Sequence, residues 1–564
     1  MEKIIDKHPN KTAISFENQS LTYLQMETLA NRYAHWAKAR GLKPGDTVAV
    51  FLPNRLDYVP LWFGLSKVGV ISALINNSLI GQGLAHCIKI SGASLTIVDT
   101  TTLDAFQAVK FLIERHQHLW CLDIDRSQET DDMRALEPAL KGVSSVRVEK
   151  SYREDITANK TILYIYTSGT TGLPKAAKVS HNRAQLYMRA FAGLSGMKPG
   201  DKIYNVLPLY HATGGLCGAG AALLNGAELI IRRRFSATQF WPEVYAQKAT
   251  HIVYIGELCR YLVNAPTPEN VKVETGHKIK MVFGNGLRPE IWNEFKTRFA
   301  IPQIIEFYGS TEGNVSLFNL DEKPGAIGRV PALVKSRINI RLVPFDVEKE
   351  IPIRQANGFC RICKPGEIGE AIGMIGTDTR HAYSGYVDQN ASQKKILINV
   401  FKKGDAWFRT GDLMRSDSEG YYYFVDRIGD TFRFKGENIS TSEVAEYCAG
   451  APFVDEAIVY GVTVPHYDGK AGMVSLLVQD HFDLAQFLDH IKARLPGYAI
   501  PRFVRLLSHI ETTGTFKYKK TDLVREGFNI EQLSDEIFIL FNEETYIKLT
   551  AELRTELLNN QFRI

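Results

Sequence analysis

Three stretches of this chain share one plan: an apolar strand, a turn of glycine or small residues, then a helix. They are TILYIYTSGTTG, HIVYIGELCRYLV and KMVFGNGLRPEIWNEFKTRF. Repeated in one chain, this plan points to a parallel sheet, because parallel strands need a crossover and the helix supplies it. TVAVFLP (residues 47–53) and SLTIVDT (residues 94–100) bring the same rhythm nearer the N-terminus. In open sheets of this class the strand-to-helix turns gather at the carboxyl edge, where ligands bind. The turn in YIYTSGTTGLPKAAKVSH, which starts at Tyr164, is therefore expected at a ligand crevice.

The 564 residues exceed what one hydrophobic core holds, since single cores stop growing near about 250–300 residues, so several packed subdomains are expected. With 45% hydrophobic and 23% charged residues the chain can bury ample apolar surface and lacks the signature of disorder. A balance of 67 basic against 62 acidic residues gives no general case for a nucleic-acid partner. The run Arg232-Arg233-Arg234 suits a solvated corner or contact with an anionic lipid. Seven irregularly spaced cysteines argue for a reducing compartment. Cys360 and Cys363 form one C-x-x-C with no second pair to complete a metal site, so they read as ordinary thiols. The start, MEKIIDKHPNK, is charged and polar, unlike a signal peptide or anchor, and a cytoplasmic location is expected. The apolar window at residues 58–75 carries Lys67 in its middle and is expected as a buried helix running into a short strand.

The character changes near DRIGD. Beyond it AIVYGV, MVSLLV and RFVRLL read as strands and DLAQFLDHIKARL as an amphipathic helix, a small α+β unit closed by a helix-like tail from about Glu531. The division expected is residues 1–426, a hinge at 427–430, and 431–564.

The Tyr164 stretch carries its own chemistry. Small residues expose backbone N–H groups as an anion nest, the hydroxyls of Thr167, Ser168, Thr170 and Thr171 add donors, and Lys175 adds a point charge. Gly169, Gly172 and Lys175 are spaced three apart, so the G-x-x-x-x-G-K-[ST] phosphate loop does not match. EFYGSTEG offers an aromatic, a hydroxyl and a carboxylate in succession, parts able to stack on a base, touch a phosphate and hold magnesium. WFRTGD is expected to end a strand on Asp412, an acceptor for ribose hydroxyls, and DRIGD offers Arg427 as a donor. Each motif alone reads equally well as a surface turn.

Their joint order does not. TSGTTGLPK, LPLYHATGG, GNGLRP, FYGSTEG, WFRTGD, DRIGDTFRFKGENI and TGTFKYKK resemble the successive motifs of the adenylate-forming superfamily, across almost the whole chain. NVFKKGDAWFRTGDLMRSDSEGYYYFVDRIGDTFRFKGENISTSEV is most similar to the fatty-acid transport protein and very-long-chain acyl-CoA synthetase family. The resemblance implies an α/β fold: a large N-terminal adenylation domain of α/β subdomains and a small mobile α+β C-terminal domain. It also implies a two-step reaction in which a carboxylate attacks ATP to give acyl-AMP and pyrophosphate, and CoA then takes the acyl group.

By the same resemblance, Thr167, Ser168, Gly169, Thr170, Thr171 and Lys175 hold the β- and γ-phosphates, Thr311 contacts the α-phosphate and Glu312 binds Mg2+. Tyr308 stacks on adenine, the turn with Gly284, Asn285 and Gly286 lines its other side, and Asp412 and Arg427 fix the ribose. Lys517 bridges carboxylate and α-phosphate, although the superfamily's T-G-K reads Gly514-Thr515-Phe516-Lys517 here. Gly429 serves as the pivot of the hinge. LPLYHATGGLCGAG resembles the acyl-site motif: His211 gates the tunnel, contacts the carboxylate or simply packs in the core, and Gly214 and Gly215 let an acyl chain pass close to the backbone.

The leading reading is a long-chain or very-long-chain fatty acyl-CoA ligase using ATP, Mg2+ and CoA, with a link to fatty-acid uptake. The alternatives are an adenylating ligase for a bile or aryl acid, and a membrane-associated transport or binding protein with a vestigial ATP site. Peripheral membrane contact is kept as an expectation, and no protein partner is expected.

Overall fold

In the computed structural model the chain is described over residues 1–113, 118–167, 173–265, 276–287, 289–331, 333, 338–346, 351–376, 381–428, 431–435, 437–467, 469–509 and 520–564. It divides into two compact units, with the C-terminal boundary between Asp426 and Arg427; the second unit also takes in Ser78–His86.

The apolar runs of the first unit become the strands of two sheets. In one, Met133–Ala135, His118–Leu122, Leu95–Asp99, Thr47–Phe51, Ile71–Leu74 and Thr161–Thr167 run parallel in that order, and Lys175–Ser180 closes the edge antiparallel. In the other, Ile304–Gly309, Met281–Asn285, His251–Ile255, Lys202–Asn205, Glu228–Ile231 and Thr12–Phe16 run parallel, with Ser316–Asn319 and Gln19–Thr22 antiparallel at the two edges. Thr47–Phe51, Leu95–Asp99 and Ile71–Leu74 are buried at every residue, as strands covered on both faces must be. A third sheet is built on antiparallel pairs and carries Ile340–Asp346, Ile368–Met374 and Ala406–Ser416.

Two of the three strand–turn–helix stretches fold as the sequence predicts. His251–Ile255 passes directly into the helix Gly256–Asn264, and Met281–Asn285 leads to Pro289–Arg298, with proline at its first position. The third does not. Thr161–Thr167 turns back as the strand Lys175–Ser180, and the helix His181–Ser195 begins only after it. In the run KAAKVS the half-buried positions, Lys175 and Lys178, lie three apart with buried pairs between them, a spacing that a helix shows as readily as this edge strand does.

The window with Lys67 forms the helix Tyr58–Lys67 and the strand Ile71–Leu74, as expected. Lys67 is 4% exposed, and its ammonium is held by Glu27 at 2.9 Å and Asn31 at 2.7 Å. Those two residues lie one turn apart on the helix Tyr23–Ala39. Among the described residues no helix is long and apolar enough to cross a membrane. Arg232 pairs with Glu243 and Arg233 with Glu17, so two of the three charges read as a basic corner are already engaged.

In the second unit Val454–Val462, Ala471–Val478 and Phe503–Leu507 are strands and Leu484–Lys492 a helix, as predicted. The tail is a correction. Glu536–Phe541 and Thr545–Lys548 extend the same sheet, and only Ala551–Leu558 is helical. Ile537, Ile539 and Leu540 of EIFILF are buried, and Asn542 and Glu543 take positive φ in the turn, the mark of a tight hairpin.

Candidate active site

The first unit assembles its polar motifs from the hairpin outward. Thr167 and Lys175 are cross-strand partners where the hairpin opens. Ser168, Gly169, Thr170 and Thr171 lie outside the described residues. Gly385 O accepts from Lys178 N at 2.9 Å and Val387 N donates to Ala176 O at 2.9 Å, so this short segment runs beside the strand that starts at Lys175. Tyr386 is thereby buried, and its hydroxyl donates to Glu312 Oε1 at 2.7 Å. Burial and the Glu312 carboxylate push the Tyr386 hydroxyl far above its ordinary range, which keeps it a donor. Lys175 Nζ stands 5.9 Å from the Tyr386 ring centre. Burial, then Lys395 and Lys394, pull the Lys175 ammonium below its usual range, while Asp388 and Glu312 act the other way. A lysine placed so gains when an anion arrives.

Glu312 is 8% exposed and sits on a turn fixed from behind. Ser180 caps the helix His181–Ser195, which carries Arg183 and Tyr187 one turn apart. Arg183 Nε donates to Thr311 O at 3.0 Å and the Tyr187 hydroxyl to Ser310 O at 2.8 Å. None of these bonds engages the Thr311 hydroxyl. A Cβ on Gly313 would run into Ser310 Oγ and the Phe408 ring, so this turn needs glycine there.

The Gly284–Asn285–Gly286 turn is held by a carboxylate that the motif contains but sequence reasoning gave no role. Glu306, 2% exposed, accepts from the Tyr254 hydroxyl at 2.5 Å, from Gly286 N and from Leu287 N at 3.3 Å. The three strands are in register: Tyr254 beside Gly284, Gly284 beside Glu306. A Cβ on Gly284 would collide with Tyr254 O, and one on Gly256 with Gly286 O. The Tyr254 hydroxyl lies well above its ordinary range through burial and the Glu306 charge, so it too remains a donor. Glu306→Ala strips the acceptor from several buried donors at roughly 1–3 kcal/mol each. The expected outcome is a clear drop in thermal unfolding temperature, with Glu306→Gln falling between it and wild type.

Asp412 does not end a strand. Ala406–Ser416 runs through it, and the pairing with Ile368–Met374 shifts so that Ala371 alone faces Thr410, Gly411 and Asp412. Gly411 takes φ +79°, the left-handed conformation a bulge of this kind needs. Thr410 Oγ1 secures the bulge by donating to Ala371 O at 2.6 Å and accepting from Asp412 N at 3.0 Å. The re-aimed Asp412 carboxylate, 5% exposed in its residue, accepts from the Tyr308 hydroxyl, joining the expected ribose and adenine residues.

The acyl-site glycines are required by the chain's own packing. Thr213–Gly218 is a π-helical turn, a form that often marks functional sites. A Cβ on Gly214 would stand 2.6 Å from Pro208 O, and one on Gly215 would meet Leu209 O. The space they leave is filled by the chain's own preceding turn, which Asn54 clamps through Leu207 O and Leu209 N. His211 is half-buried with its ring 4.6 Å from Tyr210. The Arg427 side chain, Gly429 and Lys517 lie outside the described residues.

Residues 1–359 match the family described as AMP-binding enzyme. The chain is 38% identical over 563 residues to long-chain fatty acid transport protein 2 of Rattus norvegicus, covering 99% of this chain and 90% of the relative. This chain is an AMP-binding enzyme of the long-chain fatty acid transport protein family. The type 1 protein of Homo sapiens is 37% identical over 572 residues, covering 100% and 87%. An o-succinylbenzoate CoA synthetase from Bacillus subtilis, bound to a product analogue, superposes with a TM-score of 0.73 at 21% identity over 93% of this chain and 97% of that one. A fatty acyl CoA synthetase from Mycobacterium tuberculosis gives 0.60, also at 21% identity, over 93% and 97%. The adenylate-forming fold is thus the fold of this AMP-binding enzyme. Lys175, Glu312, Tyr308 and Asp412 are singled out by the resemblance of the motifs that hold them. Tyr386, Arg183 and Tyr187 carry no local signal, whereas Glu306, a lone charge in the apolar strand IIEFYG, does.

Proposed function

We propose that this enzyme is a long-chain fatty acyl-CoA ligase. In the first step a fatty carboxylate oxygen bonds to the α-phosphorus of ATP and the bond to the β-phosphate oxygen breaks, leaving acyl-AMP and pyrophosphate. In the second, the CoA sulfur bonds to the acyl carbon, the thiol proton goes to solvent, and AMP departs. The observation that carries the reading is the buried pair Tyr386–Glu312 beside Lys175, an acid–cation arrangement set at a hairpin mouth. The names of the relatives favour a long-chain acid over a bile or aryl acid.

Mg2+ fits these residues. It is commonly bound by one or two carboxylates plus substrate phosphates. Among the described residues no group of three His, Cys, Asp or Glu could cage a metal alone, while Glu312 has one oxygen fixed by Tyr386 and the other outside that bond. The ion supplies neutralisation of phosphate charge. Glu312 would hold it, Lys175 would meet the outer phosphates, Tyr308 and the Gly284–Asn285–Gly286 turn would flank adenine, and Asp412 would accept the ribose hydroxyls.

The test is pyrophosphate release from ATP and magnesium across carboxylates of graded chain length, with bile and aryl acids alongside, with and without CoA. Release that rises with chain length, with a thioester formed only when CoA is present, is expected. Release with a bile or aryl acid alone shifts the substrate class, and no release with any acid sinks the ligase reading.

A further inference from the structure

Lys395 follows the short helix Gln389–Gln393, and its carbonyl accepts from Arg409 N at 2.8 Å, which lays it along the strand that carries Asp412. Its ammonium donates to Thr410 O at 3.1 Å. Gly411 leaves the room for it: a Cβ there would stand 3.0 Å from Nζ. The charge therefore sits at the bulge, beside the residue next to Asp412.

Lys175 feels this charge. Lys395 is the largest cause, after burial, that disfavours the protonated form of Lys175, and Lys394 adds to it; Asp388 and Glu312 oppose them. Lys395 also faces Glu370, but that carboxylate, 0% exposed, is taken up by Arg409 at 2.8–3.1 Å. Among the described residues Lys175 lies against the Tyr386 ring and Lys395 against Thr410 O, with no carboxylate in ion-pair contact with either ammonium. Two half-buried cations that repel each other are costly until an anion neutralises them.

We propose that Lys395 is a second phosphate-binding cation of the nucleotide site, reaching the phosphate nearest the ribose. The inference rests on the nucleotide reading of this site. Lys175 and Lys395 then divide the phosphate chain, Lys175 at the outer groups and Lys395 at the one that stays with adenosine in AMP and acyl-AMP. Because Lys395 sits on the same unit as Asp412, it holds that phosphate in both half-reactions.

The test is calorimetric titration of the full chain with adenosine, AMP and ATP, comparing wild type with Lys395→Gln, Lys395→Met and Lys395→Arg. A charge-assisted hydrogen bond lost at a phosphate should weaken AMP and ATP about tenfold. Adenosine affinity should be unchanged, and arginine should restore most of the loss. Lys395→Met keeps the apolar stem and serves if the glutamine variant is unfolded. AMP affinity equal to wild type in the glutamine or methionine variant overturns the proposal. So does an equal loss for adenosine and AMP, which would mean that Lys395 only supports the bulge. Wild type binding none of the three ligands overturns the nucleotide reading itself, and this inference with it.

Discussion

Asp412→Ala is expected to weaken AMP and ATP binding by at least about 100-fold, because in the role proposed for it the carboxylate accepts two hydrogen bonds from ribose hydroxyls, worth about 1.5–3 kcal/mol each, and both disappear together. The tertiary structure explains why no neighbour replaces them. The bulge at Gly411 aims this carboxylate and no other, and Thr410 Oγ1 ties down the Asp412 backbone whatever side chain follows. The fold should survive: the Tyr308 hydroxyl loses one acceptor, but Tyr308 is only half-buried and water can reach it. Asp412→Asn keeps the shape and an acceptor oxygen but loses the charge, so it should fall between the two. Calorimetry with AMP, beside a thermal unfolding curve, checks both statements. An alanine variant that binds AMP within threefold of wild type would remove Asp412 from the nucleotide site.

Lys517→Ala should separate the two half-reactions. A lysine that bridges the carboxylate and the α-phosphate stabilises charge present only while the phosphorus changes partners, and loss of one such donor costs about 100- to 1,000-fold in rate. Fatty-acid-dependent pyrophosphate release is therefore expected to fall by that factor. Thioester formation from acyl-AMP supplied ready-made should change by less than about tenfold, because the phosphate bond is already formed. Lys519→Ala is the control for register, since Gly514-Thr515-Phe516-Lys517 departs from the superfamily's T-G-K. If Lys519→Ala stops adenylation and Lys517→Ala does not, the bridging role moves two residues along.

Both predictions concern motif residues, and the sequence could single those out because their spacing is local. Glycines, hydroxyls and a carboxylate within a dozen residues keep their order whatever the fold does around them. The parallel strands were legible for a related reason: Thr47–Phe51 and Leu95–Asp99 are mostly apolar, as strands buried on both faces tend to be. The hairpin after Thr167 was missed because its turn looks like a strand-to-helix turn until the antiparallel partner is seen. The strands of the C-terminal tail were missed because a short amphipathic run can satisfy either period.

The partners of the motif residues were decided only in three dimensions. Tyr386 reaches Glu312 across 74 residues of sequence, Tyr308 reaches Asp412 across 104, and Arg183 reaches Thr311 across 128. No periodicity links such pairs; sheet order and a bulge bring them together. The sequence by itself determined the family, the α/β class and which side chains are chemically able to meet a nucleotide. The tertiary structure decided which of them are buried and which are held by a second residue, because burial and long-range hydrogen bonds exist only once the chain has folded back on itself.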